Sequence, residues 1–185
     1  MIENKSDLKE YLNEDKWALG RKNKRPKIND CIWKYQILLR KCEYYHNCKS
    51  IINGLLYQIY RFKRHRLGIK LGFTIPLNTC GKGLCISHIG NIVISDYATV
   101  GDYCRIHVGV NIGSDARLRN SAPRLGNYCY IGPGAKLFGN IIIGDNCAIG
   151  ANAVVTKSFS GNCSIGGVPA KIINYNGTED IIPRR

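Results

Sequence analysis

Apolar residues recur at every sixth position from Leu125 to Val155: Leu125, Ile131, Leu137, Ile143, Ile149 and Val155. Gly follows four of them (Gly126, Gly132, Gly144, Gly150), and a small or apolar residue stands two places before each later member (Cys129, Ala135, Ile141, Cys147, Ala153). A period of six fits neither the 3.6-residue stripe of an amphipathic helix nor the alternation of a half-buried strand. It is the pattern of a hexapeptide solenoid, a coil of short strands and turns whose aliphatic residues point inward. Upstream the solenoid begins near Ile75–Pro76, with Cys80 and Ile86 one hexad apart and then the series Ile94, Val100, Ile106, Ile112. The rhythm slips twice. Eight positions separate Ile86 from Ile94, so two extra residues enter within Ser87–Ile92, and thirteen separate Ile112 from Leu125, so a loop leaves the coil at about Gly113–Arg124. A regular solenoid has no structural need of either departure, and loops on a rigid scaffold are where function concentrates.

The first 70 residues lack this period. A helix is expected around Asp7–Leu19, with a loop over Gly20–Lys27. Ile32, Tyr35, Leu38, Leu39 and Cys42 then keep helical spacing behind Asp30, a suitable cap, and a further helix runs from about Ser50 to near Gly68. The expected organisation is a basic helical domain (1–70), a solenoid (71–173) and a short tail (174–185).

Charge sharpens this division. Of a net +14, residues 1–70 carry 17 Lys/Arg against seven Asp/Glu, and Arg61–Arg66 (RFKRHR) gathers five basic groups around one Phe. This segment reads either as an anionic membrane surface contact or as a solvated helix end favoured by the macrodipole. No recognised module accompanies the charge, so nucleic acid is not an expected partner. Nine cysteines suggest a disulfide scaffold until their positions are considered. Cys104, Cys129, Cys147 and Cys163 each stand two places before an aliphatic residue, where Ala98, Ala135 and Ala153 stand elsewhere, so they act as small buried hydrophobes. With no CxxC spacing and no apolar leader, the expected location is the cytoplasm, peripheral to the inner membrane face if the basic helices touch lipid.

The first slip holds His88, one of four histidines. It is either an exposed polar residue on a bulge or a side chain re-aimed for proton transfer near neutral pH. His107 lies nineteen residues later, about one three-hexad coil on, and stacked coils lie roughly 4.8 Å apart, so the two histidines are expected to be neighbours. A metal-dependent solenoid of the carbonic-anhydrase kind needs three histidines and this one offers two, so no metal is expected. A purely structural or ligand-binding solenoid stays open.

His88 with GNIVIS, VGVNIGS (Val108–Ser114), the Pro123–Gly126 turn, IGPGAKLFGNIIIGDNCAIGANAVV and the closing GGVPAKII together resemble the serine acetyltransferase group of the hexapeptide-repeat acyltransferases. That resemblance implies a mainly β fold, a left-handed parallel β-helix with a small α-helical N-terminal domain. It implies a homotrimer with acetyl-CoA as co-substrate between neighbouring subunits. His88 falls on the family's general base. Gly113 falls on the glycine near the cofactor thiol, Pro133, Gly134 and Ala151 on the pantetheine wall, and Lys157, Gly166, Gly167 and Lys171 at the nucleotide end. His107, Asp96 and Asn91 are candidates to bind the acceptor or orient His88, Asp96 matching a family acid or simply capping a turn. The chain departs from the group where it holds its amino acid: Phe73 and Ser87 stand in place of Asp residues, and Ser121–Ala122 in place of an Arg-His pair. With those charges gone, the expected acceptor is a sugar hydroxyl of a surface (capsular or exo-) polysaccharide or its precursor, as in a related branch; serine, for cysteine biosynthesis, is the alternative.

Overall fold

The computed structural model describes residues 1–118 and 120–185. Three helices, α1 (Lys5–Ala18), α2 (Cys31–Asn47) and α3 (Ile51–Leu71), each start on a side-chain cap. Asn4 accepts from the N–H groups of Ser6 and Asp7, Asp30 from Trp33, and Ser50 from Asn53, satisfying donors that a first turn leaves free. The last helix runs past Gly68, its expected end. Gly68 is buried between Tyr35 and the Phe73 carbonyl and serves close packing, while Gly72, at φ 78°, makes the left-handed stop.

The chain then winds through short strands: β1 (Phe73–Thr74), β2 (Cys85–Ile86), β3 (Ile92–Ile94), β4 (Thr99–Val100), β5 (Arg105–Ile106), β6 (Asn111–Gly113), β7 (Arg124–Leu125), β8 (Tyr130–Ile131), β9 (Lys136–Phe138), β10 (Ile142–Ile143), β11 (Cys147–Ile149), β12 (Val154–Val155), β13 (Cys163–Gly167) and β14 (Ala170–Asn174). Three sheets result, ordered β1-β3-β6-β9-β12, β10-β7-β4 and β14-β13-β11-β8-β5-β2. All pairings are parallel except the closing hairpin β13–β14. Each coil gives one strand to each face, which is why strands adjacent in sequence do not pair before the hairpin. This is the left-handed parallel β-helix with a small helical N-terminal region.

The register carries the six-residue rhythm into three files of core side chains. Ile86, Ile106, Ile131, Ile149 and Ile165 form one; Ile94, Ile112, Leu137 and Val155 a second; Val100, Leu125 and Ile143 a third. None is more than 5% exposed, so the solenoid interior is a continuous apolar rod. Cys104, Cys129, Cys147 and Cys163 are buried and all nine cysteines are free thiols.

The helices dock on the first coil through an ion network. The buried Arg40 guanidinium donates to Asp15 (2.8 Å), to Glu43 (3.0 Å) and to the carbonyls of Cys80 and Gly81. Asp15 also accepts from the Leu84 N–H at 2.9 Å. Every partner of the charge is thus supplied, which is the condition under which a buried ion pair is tolerated. The segment after β14 returns along the coil. Thr178 donates its hydroxyl to the Tyr128 carbonyl (2.7 Å), Arg184 covers the Tyr128 ring, and Arg185 pairs with Glu14 (2.9 Å) over the Trp17 ring.

Candidate functional site

The first slip resolves into two particular residues. Ile86 pairs with Ile106 before the corner and Val93 with Asn111 after it, so His88 and Ile89 are the surplus pair. Both are exposed. Gly90 then resumes the stack: a Cβ there would collide with Val108 Cγ2, so only Gly fits under the neighbouring coil. The bulge therefore pushes His88 outward at the ridge between two faces of the prism.

On one side of the ridge lies a cleft of about 600 Å³. Ser87, His88, Arg105 and His107 form its floor, the end of α1 with Trp17 and Arg21 one wall, and Ile182 and Pro183 the other. The His88 and His107 rings are 5.6 Å apart at 48°, and His107 packs against Tyr130 at 4.9 Å. Ser87 Oγ and His107 Nε2 lie 3.3 Å apart. Burial, the charge of His88 and the Arg105 guanidinium together lower the His107 pKa below its ordinary 6.5, so its ring is neutral at neutral pH. Tyr103, also in the cleft, donates to Glu14 at 3.0 Å, and burial with that bond pushes its pKa up to about 12. No Asp or Glu lines this cleft among the described residues.

On the other side of the ridge stand the residues matched to the cofactor, and they frame one sheet. Val108, Pro133, Ala151 and Gly167 occupy successive coils of the corner that ends in the His88 bulge. Three coil steps give this rail a length of about 14 Å at roughly 4.8 Å each. Gly134 (φ 74°) donates to the Val108 carbonyl at 2.9 Å, and the Asn152 N–H donates to the Pro133 carbonyl at the same distance. Gly166 pairs with Lys171 across the terminal hairpin, leaving the exposed Lys171 at the far end of the rail. Gly113, ending the central strand β6, and the exposed Lys157, after the edge strand β12, stand at the C-terminal ends of strands of one sheet, across that face from the rail.

Two candidates lie apart from the cleft. Asn91 lines a separate groove with Tyr35, Arg64 and Phe73, and Asp96 follows β3, 3.5 Å from the Ser95 hydroxyl. The second slip, Gly113–Arg124, leaves the coil as expected, and the Asp115 N–H donates to the Ser121 carbonyl at 3.0 Å; Arg119 within it lies outside the described residues. Sequence reasoning missed Arg105 and the covering segment. Arg105 stands two residues before His107 on a strand, a spacing that puts both on one face. Nothing in the six-residue period marks Trp17, Ile182 or Pro183.

Residues 122–157 match the family described as bacterial transferase hexapeptide (six repeats). The chain is 40% identical over 136 residues to a serine acetyltransferase of Synechococcus elongatus, covering 70% of this chain and 56% of the relative. It is 34% identical over 134 residues to a serine acetyltransferase of Staphylococcus aureus, covering 72% and 60%. It thus spans a little over half the length of these relatives. A serine acetyltransferase of Brucella abortus, solved in complex with coenzyme A, superposes with a TM-score of 0.72 at 24% identity, covering 94% of this chain and 70% of that one; at that identity the likeness concerns the fold. These relatives overturn the expected polysaccharide acceptor, since they are serine acetyltransferases and so favour the cysteine-biosynthesis alternative. The physical reason lies in the cleft. The charges lost at Phe73, Ser87 and Ser121–Ala122 do not leave it uncharged, because Arg21 and Arg105 line it from other elements.

Proposed function

We propose that this chain, a serine acetyltransferase-like member of the hexapeptide-repeat acyltransferases, is an acetyl-CoA-dependent serine O-acetyltransferase with His88 as its general base. The observation carrying this reading is the placement of His88 on the ridge between the acceptor cleft and the rail of Val108, Pro133, Ala151 and Gly167. A base at that ridge reaches an acceptor on one side and a thioester on the other.

The residues divide the work accordingly. Pro133, Gly134 and Ala151 offer a narrow, small-residue track for an extended arm, and Lys157 and Lys171 offer cations suited to phosphates at its end. His88 takes the proton from the serine hydroxyl as that oxygen bonds to the thioester carbon. Collapse of the tetrahedral intermediate breaks the carbon–sulfur bond, and the proton on His88 passes to the departing thiolate. A backbone N–H beside the carbonyl stabilises the transient oxyanion. The neutral His107 ring places no second positive charge beside the base. The proposal includes a homotrimer that closes acetyl-CoA between neighbouring subunits. Exposed apolar side chains on the outer faces, Val93, Phe138 and Ile142, support it.

Thiol release from acetyl-CoA in the presence of L-serine tests the reading. Turnover is expected for the native chain and a fall of about 10²- to 10⁴-fold in His88→Ala, the range for loss of a general base. Undiminished turnover in that variant, or none with L-serine in the native chain, refutes it. Sedimentation equilibrium at a single protomer mass refutes the trimer.

A further inference from the structure

We propose that Arg105 is the anchor for the acceptor's carboxylate, and that the cleft selects hydroxy acids by that group rather than by the ammonium. This rests on the serine acetyltransferase reading. On β5, Ile106 points into the core, so Arg105 and His107 leave the strand on the same outward face, into the cleft that holds His88. Arg21, the other cation there, is already paired with Asp30 at 2.7 Å. Arg105 has no carboxylate partner among the described residues. Its Nε is buried without a hydrogen bond, and its Nη1 makes only a long 3.3 Å bond to the Ile181 carbonyl. A buried donor left unpaired is costly, and a guanidinium fork matches a carboxylate with two parallel bonds. No acidic side chain lines the cleft to take an ammonium. Arg105 thus supplies, from a different strand, a charge that the positions of Ser121 and Ala122 do not.

The experiment compares the native chain with Arg105→Gln and Arg105→Lys in serine-dependent thiol release. Arg105→Gln is expected to raise KM for L-serine roughly 10- to 100-fold, to leave KM for acetyl-CoA within twofold, and to be partly rescued by Arg105→Lys. The native enzyme is expected to be inhibited competitively by 3-hydroxypropionate and hardly by ethanolamine. An unchanged serine KM in Arg105→Gln, or equal inhibition by ethanolamine, overturns the proposal. Direct binding keeps the two readings separable. If serine is not acetylated, yet 3-hydroxypropionate perturbs Trp17 fluorescence in the native chain and not in Arg105→Gln, the carboxylate site stands and the serine reading falls. No perturbation in either overturns both.

A second inference rests on α3 alone. We propose that its outer face docks on an anionic phospholipid bilayer. Ile52, Leu55, Ile59, Phe62 and Ile69 follow helical spacing and are 49–71% exposed, whereas Leu56, Tyr60, Arg64 and Leu67 face inward. The helix carries Arg61, Lys63, Arg64, Arg66 and Lys70 and no acid. An apolar stripe flanked by cations alone is complementary to anionic headgroups over acyl chains, and two copies brought face to face would repel. No helix among the described residues is long and apolar enough to cross a membrane, so the contact is interfacial. Full-length protein is expected to co-sediment with phosphatidylserine–phosphatidylcholine vesicles at low salt, weakly with pure phosphatidylcholine, and to lose binding in both Phe62→Glu and Lys63→Glu/Arg66→Glu. Absence of binding at low salt, or binding untouched by Phe62→Glu, overturns it. So does a dissociation of the native oligomer by Phe62→Glu, which would assign the stripe to a second copy.

Discussion

The Ser87 hydroxyl lies 3.3 Å from His107 Nε2, so the residue preceding the proposed base is tied to the histidine of the next coil. His107 in turn packs on Tyr130 of the coil beyond. Three successive coils thereby hold one end of the bulge, and His88 projects from a supported position rather than a loose one. Ser87→Ala is expected to lower kcat for serine by about three- to tenfold, as a positioning loss smaller than removal of the base itself. Steady-state kinetics checks it, and an unchanged acetyl-CoA KM separates positioning from general damage.

His107 also gives stability a pH dependence. Its folded pKa is lowered by burial, by His88 and by Arg105, so below the ordinary 6.5 the unfolded chain binds the proton more readily than the native one. This group contributes nothing above that pH and destabilises the native state as pH falls through the window beneath it. The drop in Tm between pH 7 and pH 5 is expected to be smaller in His107→Gln than in the native chain. An equal drop would place the shift elsewhere.

Arg40 is the most consequential single side chain in the helix–coil junction. Arg40→Met leaves Asp15 and Glu43 buried beside each other and the Cys80 and Gly81 carbonyls unpaired. The expected loss is about 3–5 kcal/mol, the range for breaking one side of a buried pair. Urea denaturation measures it. The triple variant Asp15→Asn/Arg40→Met/Glu43→Gln is expected to recover part of the loss.

The buried thiols resist modification. Burial raises the pKa of Cys80 to about 11 and of Cys147, chiefly by burial and then by its cysteine neighbours, to about 12. At pH 8 these groups are protonated as well as enclosed. Native protein is expected to release thionitrobenzoate rapidly from at most the three partly exposed cysteines, Cys31, Cys48 and Cys85, and from all nine in guanidinium.

How much of this was legible in the sequence differs by element. Each coil repeats one local solution, so the files through Ile86, Ile94 and Val100 follow from spacing alone, and the slip at Ser87–Ile92 marks the site by breaking it. The nearness of His88 and His107 followed from counting one coil. The charges absent at Phe73, Ser87 and Ser121–Ala122 mislead about the acceptor because a period reports what a position lacks, not what a neighbouring face supplies. Arg105 belongs to that neighbouring face. The closure of the cleft by Trp17, Ile182 and Pro183 joins segments more than 150 residues apart in the chain, a pairing set by tertiary packing that no local pattern encodes. In the sequence Gly68 reads as a helix end because a small residue permits both termination and close approach, and its contacts with Tyr35 and the Phe73 carbonyl distinguish them.

The corner rail also fixes how this architecture changes scale. Val108, Pro133, Ala151 and Gly167 are placed by whole turns of the solenoid, each tolerating duplication because coils touch only their neighbours. Inserting one further turn of about 18 residues between Val108 and Pro133 would move the Lys171 end away from His88 by a single increment of roughly 4.8 Å, leaving both ends intact. Reach along this molecule is therefore quantised: it lengthens like a ruler gaining a division, and a ligand longer or shorter by a fraction of that division can be matched only at the loops.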